Sequence, residues 1–326
     1  MNIQNVLYLP SGRIFLIRTD DGYLLESTEM RDVFVDGKEH FEVRTSNDPH
    51  VIWKHLVSYE KKWLLTVSTQ KGCQHNCEFC DVANLPFKGN LTQDEIENQI
   101  EILLANTLYA EVSNKVKIGF ARMGEPAWNL DNVLGAMRNL SCISEDMGRD
   151  YIWLPCFNSI LPRKADCIDQ VVETKERDFN GFLHFQISCN STDENMRRKL
   201  FGGADVFTIE EVVNRINKID ITNRTVTLNF IVMKGVEVSV DKLKKMGLNR
   251  HKFAVKLIPL NNTINAGNNN LETYANYSNY EDLLKLKEEF EREDIPVVVD
   301  AIAKCEEAGL CCGQLAQIFS KEKCNG

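Results

Sequence analysis

The sequence predicts an α/β protein in which parallel strands form an open sheet or a barrel, preceded by a small β-rich segment. From residue 63 onward, apolar strands alternate with amphipathic helices, the pattern of a parallel sheet with helical crossovers. Residues 1–62 instead show short alternating runs separated by turn signals. A length of 326 residues suits a barrel-like core with an appendage better than two equal domains.

The N-terminal segment has the pattern of small β-hairpins. Four runs in it alternate apolar and polar residues: IFLIR, YLLES, DVFVD and HFEVR. The turn signals PSG, DDG and VDG separate them. We therefore expect a β-rich appendage over residues 1–62, a core over residues 63–317 and a C-terminal tail over residues 318–326.

Seven apolar segments of the core have the length and composition of strands. In chain order they are WLLTVST (63–69), KVKIGFA (115–121), YIWLPCF (151–157), FLHFQIS (182–188), TVTLNFIVM (225–233), KFAVKLIPL (252–260) and PVVVDAI (296–302). In folds of this kind the functional groups lie at the carboxyl ends of the strands. The loop after the first strand is therefore expected at the functional edge of the sheet.

Helical segments lie between these strands. The first begins after Thr92, whose hydroxyl can cap it, and Glu95 completes a capping box. Its apolar face consists of Ile96, Ile100, Leu103, Leu104 and Leu108. Later helical segments are NLDNVLGAM, IEEVVNRINKI and YEDLLKLKEEFE.

The composition limits the class of protein. Hydrophobic residues make up 43% of the chain and charged residues 26%, as in folded proteins. No apolar run approaches the length of a membrane span, and the start MNIQNVLYLPSGR is not a signal peptide. Eleven cysteines without an export signal indicate a reducing compartment, and we expect a cytoplasmic protein. The net charge of −9 argues against a general nucleic-acid binder, although a local basic patch stays open.

Three cysteines lie in the loop after the first strand. Cys73, Cys77 and Cys80 have the spacing C-x3-C-x2-C, and Phe79 precedes the last of them. Thiolates bind zinc or iron–sulfur clusters. A structural zinc site needs a fourth ligand, and His75 is a poor candidate because its neighbours are committed to the flanking cysteines. A [4Fe–4S] cluster held by three cysteines keeps one iron open to a small molecule, which explains the count of three; zinc and unrelated thiols stay as alternatives.

The cysteine loop resembles that of the radical S-adenosylmethionine (SAM) superfamily, and a second motif supports the resemblance. In ARMGEPAWNLDNV (121–133), the second strand of the core leads into Met123-Gly124-Glu125-Pro126. In that superfamily a Gly-Gly-Glu-like element at this place holds the amino group of SAM. The resemblance implies a partial (β/α)6 TIM-like barrel and a [4Fe–4S] cluster whose open iron binds SAM. It also implies reductive cleavage of SAM to a 5′-deoxyadenosyl radical.

Five short stretches, in the same order, resemble one branch of the superfamily: the radical SAM adenine methyl synthases of ribosomal RNA and tRNA. The forms in that family are SxQxGC, NLTxxEI, GMGEP, LIPxN and CGQLA. In this chain they are STQKGC (68–73), NLTQDEI (90–96), RMGEPAWNLDNV (122–133), LIPLN (257–261) and CCGQLA (311–316). The resemblance extends from about residue 63 to residue 317.

The resemblance implies roles for individual residues. The implied cluster ligands are Cys73, Cys77 and Cys80. The implied SAM-binding residues are Phe79, Gly124, Glu125, Asn158, Ser188 and Asn261. Cys312 matches the cysteine that accepts a methyl group from one SAM, before a radical from a second SAM activates this methyl for addition to adenine. A radical route is needed because an aromatic C–H carbon is not a nucleophile.

The chain departs from this family at several places. Thr66 stands where the family has the cysteine that resolves the protein–base adduct, and a hydroxyl cannot form that disulfide. Cys311 is the best substitute thiol. Glu60 is near the place of the family's catalytic glutamate but is not in register with it. The β-rich residues 1–62 stand in place of the family's N-terminal RNA-binding extension.

Three functions stay open on these grounds. The first is methyl transfer to an unactivated carbon of a nucleobase or nucleotide, with Cys312 as the methyl carrier. The second is hydrogen abstraction from a small molecule or other substrate, with Cys312 as the hydrogen donor. The third is a non-catalytic iron–sulfur protein. The expected partners are a nucleotide, nucleic-acid or small-molecule substrate and an electron donor such as flavodoxin or ferredoxin, with no membrane partner.

The other cysteines have simpler interpretations. Cys142, Cys156 and Cys167 are expected to fill the core as small apolar groups. A second metal site near the C terminus stays open, although its spacing matches no familiar template; it would use Cys305, Cys311, Cys312 and Cys324.

Overall fold

A computed structural model describes residues 1–9, 12–31, 63–107, 115–273, 281–299 and 311–322. The chain divides into two compact units. Unit 1 consists of Met1–Gln74, Asp81–Cys156 and Ala303–Gly326, and unit 2 consists of His75–Cys80 and Phe157–Ile302. Two division points lie at the cysteine loop, one after Gln74 and one after Cys80.

The strands of the described residues overlap all seven segments predicted for the core. In chain order they are β1 (Asn2–Leu9), β2 (Gly12–Arg18), β3 (Leu24–Arg31), β4 (Trp63–Val67), β5 (Gln70–Lys71), β6 (Gly89–Asn90), β7 (Lys115–Phe120), β8 (Ile152–Ser159), β9 (His184–Ser188), β10 (Val226–Val232), β11 (Phe253–Pro259) and β12 (Val297–Val299). The predicted core strands are therefore confirmed at β4 and at β7 to β12.

Helices follow most of these strands, as the alternating pattern predicts. They are α1 (Gln93–Ala105), α2 (Leu130–Arg138), α3 (Leu140–Asp146), α4 (Ile168–Arg177), α5 (Glu194–Leu200), α6 (Ile209–Ile216), α7 (Val240–Lys245), α8 (Ile264–Asn268), α9 (Glu281–Arg292) and α10 (Gln314–Glu322). Short 3₁₀ turns lie at Asp81–Asn84, Pro126–Asn129 and Arg163–Ala165. None of the helices in the described ranges combines the length and the apolar character needed to cross a membrane.

In unit 1 an antiparallel set of strands leads into parallel strands. The strand order is β1-β2-β3-β4-β7-β8. β1 to β4 pair antiparallel, whereas β4, β7 and β8 pair parallel. The register places Thr28 beside Thr66, and Thr66 beside Gly119. The N-terminal strands thus extend the sheet formed by the parallel strands of this unit.

Unit 2 contains parallel strands in the order β9-β10-β11-β12. The central strand β10 lies with Leu228 beside Ile187 of β9 and Val255 of β11, and all three side chains are buried. The predicted α/β class is confirmed. Within the described residues of either unit, no strand pair closes the sheet into a barrel.

Helix α1 is built as the sequence predicts. The Oγ1 of Thr92 accepts the backbone N–H of Glu95 at 3.1 Å, and the carboxylate of Glu95 accepts the backbone N–H of Thr92 at 3.0 Å. The helix packs against β3 and β4. Its predicted apolar positions are buried at Ile96, Ile100, Leu103 and Leu104. Leu108 lies outside the described residues.

Several predictions concern parts of the chain outside the described residues. They include the runs DVFVD and HFEVR, Glu60, Cys305, Cys324 and the predicted boundary at residue 62. The three-domain division stays a prediction. Helix α10 extends across residue 317, where the predicted core ends.

Replacing Thr92 with Ala should lower the free energy of unfolding by about 1 kcal/mol, because it removes the hydroxyl that accepts the Glu95 N–H. Urea unfolding followed by circular dichroism measures this change. Thr92→Ser keeps the hydroxyl and should keep most of the stability. Equal losses in both variants would contradict the capping role.

Candidate active site

Cys312, the predicted methyl carrier, lies beside a buried ion pair in unit 1. Arg122 follows the end of β7, and Glu26 lies in β3. The Nη1 of Arg122 donates to the Sγ of Cys312 at 3.5 Å, and its Nη2 donates to the carbonyl oxygen of Cys311 at 3.3 Å. The Nε and Nη2 of Arg122 lie 2.9 and 2.7 Å from Oε2 of Glu26. One guanidinium therefore contacts both the carboxylate and the sulfur.

Glu26 also binds the backbone of the C-terminal segment. Its side chain is fully buried. Besides Arg122, its carboxylate accepts the backbone N–H groups of Gly313 at 3.0 Å and Ala316 at 2.9 Å. N–H groups at a helix N-terminus have no intrahelical acceptor, so the carboxylate satisfies donors that α10 cannot satisfy itself.

The charge state of Arg122 follows from its surroundings. Burial would lower the pKa of Arg122, but its electrostatic interactions with Cys312 and Glu26 outweigh burial and raise this pKa above its usual value. The guanidinium therefore carries its charge at every physiological pH.

The sequence reasoning missed both members of this pair. Glu26 lies in YLLES, where alternation gives no sign that a carboxylate points into the core. Arg122 carried a usable signal, because it stands directly before Met-Gly-Glu-Pro where the family's form GMGEP has glycine.

Two further contacts fix the CGQ part of the C-terminal motif. The Oε1 of Gln314 accepts the N–H of Cys311 at 2.7 Å, and its Nε2 donates to Oδ2 of Asp81 at 2.6 Å. Asp81 is fully buried and directly follows Cys80 in the chain. Gly313 has a φ of +87°, and a Cβ there would lie 2.8 Å from the backbone nitrogen of Val82. Glycine is therefore required at this close approach.

Gly124 and Glu125 form a tight turn after β7. Gly124 has a φ of +99°, and a Cβ there would lie 2.6 Å from the Cβ of Gln70. The N–H of Glu125 donates to Oε1 of Gln70 at 2.9 Å, and the carboxylate of Glu125 accepts the N–H of Ala127 at 3.1 Å. The turn brings the predicted SAM-binding carboxylate into the first turn of a 3₁₀ helix; its contact with SAM stays a prediction.

The three cysteines of the loop are half-buried. Cys73 belongs to unit 1, whereas Cys77 and Cys80 belong to unit 2. No three His, Cys, Asp or Glu side chains of the described residues are grouped closely enough to hold a single metal ion. Three thiols in one short loop have the donor chemistry of an iron–sulfur site, in which the cysteines bind different irons.

Backbone hydrogen bonds anchor the part of the loop that belongs to unit 2. The N–H of Glu78 donates to the carbonyl of Leu200 at 2.9 Å. The Oγ1 of Thr263 donates to the carbonyl of Phe79 at 2.9 Å, and the Nδ2 of Asn265 donates to that of Cys80 at 2.7 Å. These bonds fix the backbone between the second and third cysteines.

The aromatic before the third cysteine packs within unit 2. The ring of Phe79 meets that of Phe201 edge-on, with centroids 6.2 Å apart. Phe79 also packs against the buried cluster of Ile160, Phe201 and Val206. The structure thus shows an anchoring role for Phe79, and its predicted contact with SAM stays a prediction.

Two predicted SAM-binding residues come together at the ends of β8 and β9. The Oδ1 of Asn158 accepts the Oγ–H of Ser188 at 3.2 Å and the Nδ2–H of Asn229 at 3.3 Å. Asn229 also donates to Oε1 of Gln186 at 3.1 Å. Asn229 and Gln186 were missed, because each interrupts an apolar strand at a single position and no motif marks either residue.

Buried acceptor oxygens in unit 2 suit a polar ligand. The Oδ1 atoms of Asn229 and Asn261 are buried and have no hydrogen-bond partner among the described residues. Such acceptors are normally satisfied by protein, water or a ligand. The amino and hydroxyl groups of SAM are donors of the matching kind, so these residues fit that cofactor.

Thr66 has a structural role at the position of the family's resolving cysteine. Its hydroxyl shares a hydrogen bond with the hydroxyl of Thr28 on the neighbouring strand β3. The thiol proposed to substitute for it, that of Cys311, belongs to a residue that is only 5% exposed.

One of the three cysteines predicted to be buried in the core is exposed instead. Cys156 and Cys167 are buried as predicted, but the prediction for Cys142 is wrong because its side chain is exposed. The short helix α3 buries Leu140, Ile143 and Ser144 and turns residue 142 outward. Cys189 is fully buried, and burial raises the pKa of its thiol to about 12.

Comparison with known proteins supports the motif-based resemblance. A protein of Bacteroides fragilis named probable dual-specificity RNA methyltransferase RlmN is 31% identical over 67% of this chain and 58% of its own length. The dual-specificity RNA methyltransferase RlmN of Helicobacter hepaticus is 27% identical over 78% of this chain and 63% of its own length. No family model matches the chain.

The fold has a counterpart among solved structures. A radical SAM methyltransferase from Sphaerobacter thermophilus matches 96% of this chain and 80% of its own with a TM-score of 0.71 at 20% identity. Proteins named dual-specificity RNA methyltransferase RlmN are therefore homologues of this chain. The predicted resemblance is confirmed, and the predicted [4Fe–4S] cluster and SAM are the cofactors that this group of enzymes uses. The chain spans 58% of the length of the Bacteroides RlmN that it matches.

Replacing Gly124 with Ala should lower the free energy of unfolding by about 2 kcal/mol, because φ is +99° and the new Cβ meets Gln70. Urea unfolding measures the loss. Gly148→Ala is the matched control: its φ is +70°, but a Cβ there meets nothing within 4 Å. The two variants should differ clearly, and equal losses would contradict the close approach to Gln70.

Proposed function

We propose that this chain is a radical SAM methyltransferase that acts on a nucleic-acid base. A [4Fe–4S] cluster is bound by Cys73, Cys77 and Cys80 in this proposal. The observation that supports it best is the contact between Arg122 and Cys312, because it places a cation against the sulfur of the predicted methyl carrier. The similarity to RNA methyltransferases supports the substrate class.

The residues of the site suit the two cofactors. Bound together, the cluster and SAM supply a methyl group and a carbon-centred radical. Gly124 adds no side chain to the turn after β7. In this proposal the carboxylate of Glu125 accepts hydrogen bonds from the ammonium group of SAM. Within unit 2, Asn229 and Asn261 have buried acceptor oxygens of the kind that bind amino and hydroxyl donors such as those of SAM.

Cys312 is the methyl acceptor in this proposal. A thiolate is the nucleophilic form of cysteine, and a neighbouring cation favours it. The N–H of Gly313, after the sulfur-bearing residue, is bound to Glu26, and the N–H of Cys311, before it, is bound to the Gln314 side chain, which itself donates to Asp81. The chain therefore presents this sulfur on a backbone that cannot move without breaking buried hydrogen bonds.

The partners are proposed from the same relatives and from composition. RNA is the proposed substrate, because the curated relatives are named RNA methyltransferases. A cytoplasmic location is proposed because the chain has eleven cysteines, and a reducing compartment keeps thiols free. A flavodoxin or ferredoxin is the proposed reductant.

A second function is favoured by Thr66. With a hydroxyl bonded to Thr28 at the resolving position, release of a protein–base adduct lacks its usual thiol. In this alternative Cys312 donates a hydrogen atom to a substrate radical and no methyl group is transferred. SAM with a deuterated methyl group separates the two: label on Cys312 or in the RNA appears only with methyl transfer.

Replacing Cys73, Cys77 or Cys80 with Ala should abolish binding of the iron–sulfur cluster, because each thiolate is a ligand of a different iron. Anaerobic reconstitution, visible absorption and iron analysis measure the cluster. Cys142→Ala, which changes an exposed thiol outside the loop, should retain it. A full cluster in any of the three loop variants would contradict the ligand assignment.

The methyl-carrier role predicts one added methyl group on Cys312 in protein isolated from cells that make SAM. Peptide mass spectrometry locates it. Cys312→Ala should eliminate both the modified peptide and methylation of RNA, whereas Cys142→Ala should preserve both. Methyl transfer to RNA by the Cys312→Ala variant would reject the role.

A further inference from the structure

We propose that Arg122 activates Cys312 for methyl transfer by stabilising its sulfur as a thiolate, and that Glu26 is the positioning residue that directs Arg122 to it. The inference rests on the methyl-acceptor role of Cys312 in the proposed function and adds two residues to it. A thiolate needs no separate base at the moment of transfer, since its proton has already been lost to solvent. As its sulfur forms a bond to the methyl carbon of SAM, the bond from that carbon to the sulfonium sulfur breaks, and S-adenosylhomocysteine leaves with the electron pair.

The geometry directs one arm of the guanidinium to the sulfur. The Nε and Nη2 groups of Arg122 contact Glu26, and Nη2 also donates to the carbonyl of Cys311. Nη1 donates to the Sγ of Cys312 at 3.5 Å. An arginine that served only to neutralise Glu26 would not need the additional contact between Nη1 and the sulfur of Cys312.

The charges around the sulfur favour an anion there. Glu26 carries a negative charge, but it also accepts the N–H groups of Gly313 and Ala316, so its charge is shared among several donors. Cys312 lies two residues before the first residue of α10, a helix whose N-terminus favours negative charge. Among the described residues, Cys311 and Asp81 are further titratable groups at this segment, and Asp81 accepts a hydrogen bond from the amide of Gln314.

Arg122 is a point at which this chain differs from the family that it resembles. The family's form of the motif is GMGEP, and this chain has RMGEP. Glycine carries no charge and cannot reach a side chain of another segment. A buried arginine at this place would cost several kcal/mol unless it were paired, and here it is paired with Glu26 and contacts the reacting sulfur.

Alkylation of Cys312 by iodoacetamide at neutral pH tests the inference without cluster, SAM or RNA. The full-length chain is alkylated for increasing times, and peptide mass spectrometry measures the rate at unmethylated Cys312 relative to exposed Cys142. Arg122→Gln should slow alkylation of Cys312 about tenfold relative to Cys142. Arg122→Lys keeps a cation and should restore most of the rate.

The variants are compared only after circular dichroism shows that each is folded, because an unfolded chain would also lose the contact between Arg122 and the sulfur and would be alkylated more slowly than the folded wild type. A second measurement does not depend on a variant: Cys312 of the folded wild-type chain should react faster than in the urea-unfolded chain, despite its partial burial. A folded rate below the unfolded rate, an unchanged rate in folded Arg122→Gln, or an Arg122→Lys rate as slow as that of Arg122→Gln would overturn the inference.

The same peptides separate this inference from the proposed function. If Cys312 of the wild type never carries a methyl group while Arg122 still controls its alkylation, the methyl-carrier role fails and activation by Arg122 stands. If Cys312 is methylated but its alkylation rate is the same with and without Arg122, the methyl-carrier role stands and activation by Arg122 fails.

Discussion

The buried pair of Glu26 and Arg122 is the interaction on which the rest of unit 1 depends. A carboxylate and a guanidinium taken out of water cost several kcal/mol each unless they are paired and hydrogen-bonded, and removing one partner typically costs about 3–5 kcal/mol. Glu26 comes from the N-terminal strands and Arg122 from the end of β7, and both bind residues of the C-terminal segment. Three distant parts of the sequence therefore come together at one carboxylate. The segment that carries Cys312 cannot leave without exposing the carboxylate of Glu26.

Two glycines show that the motifs of this chain encode backbone packing as well as chemistry. Gly124 in MGEP and Gly313 in CGQ both have positive φ, and a side chain at either would meet the loop around Gln70 or Val82 at less than 3 Å. These are close approaches in which one segment of backbone fits against another. These close contacts position the neighbouring residues that have proposed chemical roles, Glu125 and Cys312. A motif match is therefore informative about geometry before any ligand is considered.

The sequence predicts the parts of this structure that are periodic or local. Apolar runs located all seven core strands, and the Thr92–Glu95 pair located the start of α1, because capping is a contact between near neighbours. Glu26 and Asn229 were missed for the opposite reason: a polar residue inside a strand becomes meaningful only when its distant partner is known. Cys142 was misplaced because a seven-residue helix has too little periodicity to show which face is buried.

The hydrogen bonds of Cys311 bear on how an adduct on Cys312 could be resolved. The N–H of Cys311 is bound to Gln314 at 2.7 Å and its carbonyl to Arg122 at 3.3 Å, so the peptide groups on both sides are fixed. Turning the Cys311 thiol toward an adduct on the next residue would break these buried bonds, and Thr66 offers a hydroxyl already bonded to Thr28. Within the described residues of unit 1, these contacts of Cys311 thus oppose disulfide resolution by Cys311 in the proposed reaction. If methyl transfer is the reaction, the thiol that releases the product must come from elsewhere in the chain or from another molecule.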